Sequence, residues 1–122
     1  MRLLLDSVIL IDHFKNIPAA TSYLRDNQGE IAISAIARAE ILAGFSPPEA
    51  LLVERLLDRF YTLPVDAQVA DLAAALRREH GWRLSDAIQA ALAQIHGLIF
   101  VTRNSRDFPP DRYEFVMIPY RV

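Results

Sequence analysis

The chain is expected to fold as a three-layer α/β/α sandwich around a five-stranded, mainly parallel sheet, and three observations carry that expectation. Leu3, Leu4 and Leu5 form an apolar run with no polar beat, ending in Asp6 and Ser7. An unbroken run of this kind suits a central strand covered by helices on both faces. Leu98 to Val101 repeats the pattern and leads at once into the polar stretch Thr102 to Asp107. Around these runs, strand-like and helix-like segments alternate with no linker, repeat or low-complexity tract. The whole of 1–122 therefore reads as a single domain with right-handed helical crossovers.

Each element has its own warrant. After the first strand, Val8 to Lys15 reads as a short helix and Ile17 to Asp26 as a second with Pro18 in its first turn, stopped by Asn27, Gln28 and Gly29. Glu30 to Ser34 gives the second strand, and Ser34 is positioned to cap the helix running from Ala35 to about Gly44. Pro47 and Pro48 open a helix to Phe60, in which Leu51, Leu52, Leu56 and Leu57 are expected to form the buried stripe. Tyr61 to Val65 is a third strand, and Pro64 assigns it to a sheet edge. Asp66 caps a helix through His80 that stops at Gly81. Ser85 or Asp86 opens the next helix, which ends at His96 and Gly97. Leu98 to Val101 then pairs with the first strand at the centre of the sheet, and Glu114 to Ile118 closes it.

Composition excludes several classes. The chain of 122 residues is 52% hydrophobic and 23% charged, which suits a globular domain and neither a disordered nor a fibrous one. No apolar run approaches the roughly 20 residues of a membrane span, and the short leucine run after Met1 and Arg2 is too brief for a signal peptide, so a soluble cytoplasmic protein is expected. The absence of cysteine removes disulfides, thiolate catalysis and zinc ribbons. A net charge of −2 gives no overall basic field toward nucleic acid. Twelve of the 13 basic residues are nevertheless arginine, whose planar fork suits phosphate and carboxylate partners.

Four acidic residues stand out by position. Asp6 and Asp107 follow the two central strands, at the sheet edge where α/β folds bind ligands. Glu40 shares a helix face with Ile36, Ala37 and Gly44, so its carboxylate is expected on the side that meets the sheet. Asp86 precedes Gln89 by three residues in a capping-box pattern, which alone would explain it as a helix cap. Glu40 and Asp86 are expected in the first turns of helices facing the same edge, so that four carboxylates converge on one crevice. Like charges at close range repel, and a cluster of this kind calls for a cation among them. Oxygen ligands without thiol or histidine favour Mg²⁺ or Mn²⁺ over zinc, and such an ion held by acids is equipment for phosphodiester hydrolysis.

These residues carry a resemblance. Leu3 to Ser7, Ile33–Ser34 through Glu40 and Gly44, the run Leu84-Ser85-Asp86-Ala87, and the run Thr102-Arg103-Asn104-Ser105-Arg106-Asp107-Phe108 together resemble the PIN-domain ribonucleases of the VapC toxin type over nearly the whole chain. The resemblance implies a PIN-like fold, Mg²⁺ or Mn²⁺ at Asp6, Glu40, Asp86 and Asp107, and endonucleolytic cutting of structured RNA. It further implies a cognate VapB-type antitoxin and a homodimer. Ser7, Thr102 and Asn104 are expected to support the acids, and Arg103 and Arg106 to bind phosphate or to pair with Glu40 or Asp107. One departure is Ala37, where many relatives carry threonine. Trp82 next to Arg83 is read as a core residue or as a platform for an unpaired base. Rival folds fit less well: a receiver domain needs a lysine after the last strand, and Lys15 is the only lysine. A dinucleotide-binding fold needs a glycine-rich turn, whereas the glycines are isolated. A dehalogenase-like phosphatase needs a second aspartate where Val8 stands. A binding module without metal, or a housekeeping nuclease of the same fold, is the remaining alternative.

Overall fold

A computed structural model describes residues 1–122. Strand β1 (Leu3–Leu5) lies at the centre of the sheet, and β2 (Ile31–Ser34), β3 (Tyr61–Leu63), β4 (Ile99–Val101) and β5 (Val116–Met117) complete it in the order β3-β2-β1-β4-β5. Every ladder is parallel. Leu5 pairs with Val101, so the chain leaves these neighbouring strands side by side, through Asp6 and Thr102. That register is what brings two polar residues distant in sequence to one edge.

Six helices cover the two faces: α1 (Ser7–Phe14), α2 (Pro18–Asp26), α3 (Ala35–Ala43), α4 (Pro47–Leu57), α5 (Ala67–His80) and α6 (Leu84–His96). Side chains alternate between faces along a strand. Leu3 and Leu5 therefore join Ile9, Leu10, Ile41 and Leu57 in one core cluster, while Leu4 joins Leu76, Leu92, Phe100 and Phe108 in the other. Both faces of β1 are dry, which is why its sequence shows no polar beat. Fully burying a leucine contributes about 1.5–3 kcal/mol, so β1 alone anchors both layers. The expected caps form: Ser34 Oγ accepts from the Ala37 N–H at 2.9 Å and Asp66 Oδ1 from the Val69 N–H at 3.0 Å. The Gly81 cap takes the left-handed conformation, φ 74°, that closes α5.

Four expectations are corrected. The buried residues of α4 are Val53 and Leu57, whereas Leu51 and Leu52 are 63% and 68% exposed. Adjacent leucines on a helix point about 100° apart, and the core that α4 meets through Val53 and Leu57 covers only part of its circumference. The β4–β5 connection is a series of turns from Thr102 to Phe115, in keeping with the polar stretch Thr102 to Asp107 and with Pro109 and Pro110, so the helical crossovers expected between the strands end at β4. Helix α6 begins at Leu84 with Arg83 as its N-cap, so Asp86 is not the capping residue. Glu40 is the sixth residue of α3, beyond the first turn, and is solvent-exposed rather than turned into the sheet.

Candidate active site

The carboxyl edge of the sheet opens into a cavity of about 330 Å³ whose walls carry Asp6, Glu40 and Asp86, together with Ser7, Arg83, Gln89, Arg103 and Asn104. Three elements deliver the acids. Asp6 is the residue between β1 and α1, and Asp86 lies in the first turn of α6. There the helix dipole favours negative charge. Glu40 reaches the same cavity from α3.

Asp6 sits at the N-cap position of α1, yet its side chain makes no capping hydrogen bond. Its oxygens instead accept from Thr102 Oγ1 at 2.7 Å and Ser7 Oγ at 3.5 Å. Thr102 is fully buried and also accepts from the Asn104 N–H at 3.1 Å, which ties the loop after β4 to the acid. Burial pushes the Asp6 carboxyl above the usual carboxylate range, against the pull of the two hydroxyls and of the Arg83 charge. Asp86 is pushed up to about 6, first by burial and then by the negative charge of Asp6. Glu40 is raised by desolvation of its carboxyl end and by Asp6. The acids therefore oppose one another's ionisation. The Arg83 charge counters this at all three, without making a salt bridge to any of them.

Asp107 stands apart from this wall. It is exposed, bonded to Asn104 Nδ2 at 2.9 Å, while its own N–H donates to Asn104 Oδ1 at 3.2 Å. Its charge still reaches Asp86 and raises it. No three Asp, Glu or His side chains are grouped so as to hold a metal ion as they stand. Carboxylates that repel without a cation between them have no reason to close up.

The arginines divide. Arg103 lines the cavity, but its fork is occupied by Asp12, Nε to Oδ2 at 2.6 Å and Nη2 to Oδ1 at 3.1 Å, and not by Glu40 or Asp107 as expected. Asp12 is 2% exposed and also accepts from Tyr120 Oη at 2.8 Å. Arg106 is exposed and makes no salt bridge. Trp82 is a core residue: it stacks on His80 with ring centroids 4.1 Å apart, and its indole N–H donates to the Asp107 carbonyl at 3.2 Å. It thereby braces the acidic loop without facing the cavity.

Two residues of the wall escaped the sequence reading. Arg83 was legible only as a neighbour of Trp82. Gln89 is 1% exposed, and its Nε2 and Oε1 are the only buried side-chain polar atoms with no hydrogen-bond partner. Leaving one such group unsatisfied costs about 1–3 kcal/mol. The signal was present in the sequence as a glutamine among the alanines of α6, one turn after Asp86.

A PIN-domain family model matches residues 3–110. Ribonuclease VapC10 of Mycobacterium tuberculosis is 32% identical over 127 aligned residues, covering 98% of this chain and 94% of the relative. Ribonuclease VapC19 of the same organism is 31% identical, covering 87% and 91%. Among solved structures, a toxin-antitoxin complex from Klebsiella pneumoniae contains a chain that is 33% identical and superposes with a TM-score of 0.89, over 98% of this chain and 99% of that one.

Proposed function

The chain belongs to the PIN-domain family, in its VapC branch, and from that membership and the acid-lined cavity we propose that it is the ribonuclease toxin of a type II toxin-antitoxin pair, dependent on Mg²⁺ or Mn²⁺. The observation that carries the reading is the set Asp6, Glu40 and Asp86 on one wall, raised by burial and by one another, with no salt bridge to neutralise them. The donor set fits a hard divalent cation: carboxylate oxygens in a polar-lined cavity, no thiol, and an orphaned amide beside them. Asp6, Glu40 and Asp86 would hold it, with Asp107 reaching in from the rim. Such an ion, when bound, supplies positive charge against a phosphodiester and acidifies water.

The chain's own residues do the rest. Thr102 and Ser7 fix the orientation of the Asp6 carboxylate by donating to it. Asn104 holds Asp107 at the rim, and Thr102, through the Asn104 N–H, holds that loop to β4. Arg83 and Arg106, both free of salt bridges, are the guanidinium groups available to the phosphates of an RNA strand, whereas Arg103 is committed to Asp12.

A partner that silences the enzyme belongs to the same proposal. A VapB-type antitoxin would place an apolar helix on the outer face of α4, where Leu51 and Leu52 are exposed. The adjoining cavity of about 620 Å³, lined by Leu24, Leu56 and Phe60, would extend that contact. Val8, Ile11 and Phe14, the partly buried apolar residues of α1, pack against the core and contribute less. An arginine or lysine of the antitoxin would pair with the cavity acids. The homodimer implied by the resemblance is part of this reading, and sedimentation of the purified chain at twice its monomer mass would support it.

Purified protein incubated with structured RNA should cut it in Mg²⁺ or Mn²⁺ and fall silent in excess EDTA. Expression alone should arrest growth, Asp6→Ala should relieve the arrest, and co-expression of the adjacent reading frame should yield a complex. Undiminished cutting in EDTA would refute the metal, and harmless expression with no copurifying partner would refute the toxin.

A further inference from the structure

We propose that Gln89 is a positioning residue of the acid site, its side-chain amide holding the hydration shell of the divalent cation taken up by Asp6 and Asp86. The inference rests on the metal-dependent reading given above and adds a residue to it. Helix α6 places Gln89 one turn after Asp86, and helical side chains lean toward the N-terminus, so the amide lies over the turn that carries the acid. It lines the acid cavity although it is 1% exposed. Its neighbours along the helix are dry: Ala87, Ala90, Ala91, Leu92 and Ala93 are all buried in the core cluster. Nothing in that packing requires a polar side chain, and a leucine or methionine would leave no orphaned atoms.

What the amide offers is a donor beside groups that have none. Ionised Asp6, Glu40 and Asp86 only accept hydrogen bonds, whereas Gln89 can accept from a water through Oε1 and donate to a carboxylate or a second water through Nε2. Cations of the Mg²⁺ class retain several waters, and those waters need acceptors around them. A group that orients such a shell is commonly worth 10–100-fold in metal affinity. The amide thus finds its partners when the ion and its waters are in the cavity.

The test is Mn²⁺ binding by calorimetry, with the melting temperature of the ion-free protein, for wild type, Gln89→Met and Gln89→Glu. Gln89→Met should melt at or above the wild-type temperature without ion, because it removes two unsatisfied atoms, and should bind Mn²⁺ at least 10-fold more weakly. Gln89→Glu should bind Mn²⁺ within about threefold of wild type or more tightly, because an acceptor for the hydration shell is kept. It should melt lower without ion, since it adds a charge to the acid wall. Unchanged Mn²⁺ affinity in Gln89→Met would overturn the proposal and leave Gln89 a packing residue. Should Gln89→Met fail to fold, a Gln89→Glu variant weakened 10-fold or more would overturn it equally. Mn²⁺ binding that depends on Gln89 in a protein that cuts no RNA would sustain this inference and refute the nuclease reading. Absence of Mn²⁺ binding to the wild type would refute the inference whatever the cleavage assay shows.

Discussion

Asp6 and Asp12 lie at the two ends of α1, and the fold treats them in opposite ways. Asp12 is buried against a cation of the chain's own making, with both oxygens taken by the Arg103 fork and a third bond from Tyr120. Asp6 is likewise withdrawn from solvent, but it receives hydroxyls and no cation of the chain, and it shares its cavity with two further carboxylates. The first arrangement is complete and holds the loop after β4 against α1. The second is incomplete, and its carboxyls respond by rising above their ordinary range. A fold able to supply Arg103 to one aspartate and leaving its neighbours short marks which acids are structural and which await an external charge.

Exchanging the two roles by mutation gives the sharpest contrast. Asp6→Asn or Asp86→Asn should lower RNA cleavage by about two orders of magnitude or more while leaving the melting temperature equal or higher, because one repelling charge is gone. Asp12→Asn should do the reverse in stability, costing about 2–4 kcal/mol by stranding Arg103 and Tyr120, as read in urea denaturation. Similar destabilisation by Asp6→Asn and Asp12→Asn would erase the distinction.

Ligand linkage gives a smaller effect. A divalent ion at about 100 times its dissociation constant stabilises the folded state by about 2.7 kcal/mol, so Mn²⁺ should raise the melting temperature of wild type and of Asp12→Asn but barely that of Asp6→Asn. Equal shifts in all three would put the ion elsewhere.

The pH dependence follows from the sign of the Asp86 shift. Its folded value, about 6, lies above the ordinary 3.8, so the ion-free folded state binds the proton more tightly than the unfolded chain does. The resulting stabilisation is fully present below about 3.8 and is lost as the pH rises through about 6. Removal of the acid in Asp86→Asn should flatten the ion-free stability profile over that window. In wild type the proton and the metal compete, so Mn²⁺ affinity should fall as the pH drops below about 6. A flat affinity profile there would contradict the assignment.

Arg103→Lys is the mildest probe. It loses the bidentate fork and should cost about 1 kcal/mol of stability, with cleavage within about threefold of wild type. A much larger loss of cleavage would mean that Arg103 also grips the substrate.

Much of this arrangement was legible in the sequence because it follows from local rules. The unbroken Leu3–Leu5 run fixes a strand dry on both faces, and the residue after such a strand falls at the ligand-binding edge, which locates Asp6 from the sequence alone. Gly81 and Gly97 mark helix ends through their left-handed conformation. What was illegible depends on circumference and on long-range pairing. The leucines of α4 could not be sorted into covered and uncovered faces without knowing how much of that helix α3 and the core cover. The partner of Arg103 lies 91 residues away, and periodicity carries no information about such a pair. Asp12 itself could have been flagged by the argument applied to Glu40, as a carboxylate beside the buried Ile9 and Leu10 on a short apolar helix. Asp86 was singled out beside a capping pattern that competed for it, and only the helix start at Leu84 removes that rival explanation.

The measurement that bears most directly on the contrast between satisfied and unsatisfied acids is a calorimetric titration of Mn²⁺ into metal-free wild type, Asp86→Asn and Asp12→Asn at neutral pH. The account predicts saturable binding to wild type, a fall in affinity of about 10-fold or more in Asp86→Asn, and near wild-type binding in folded Asp12→Asn. Binding that survives Asp86→Asn unchanged, or that is lost only with Asp12, would contradict it.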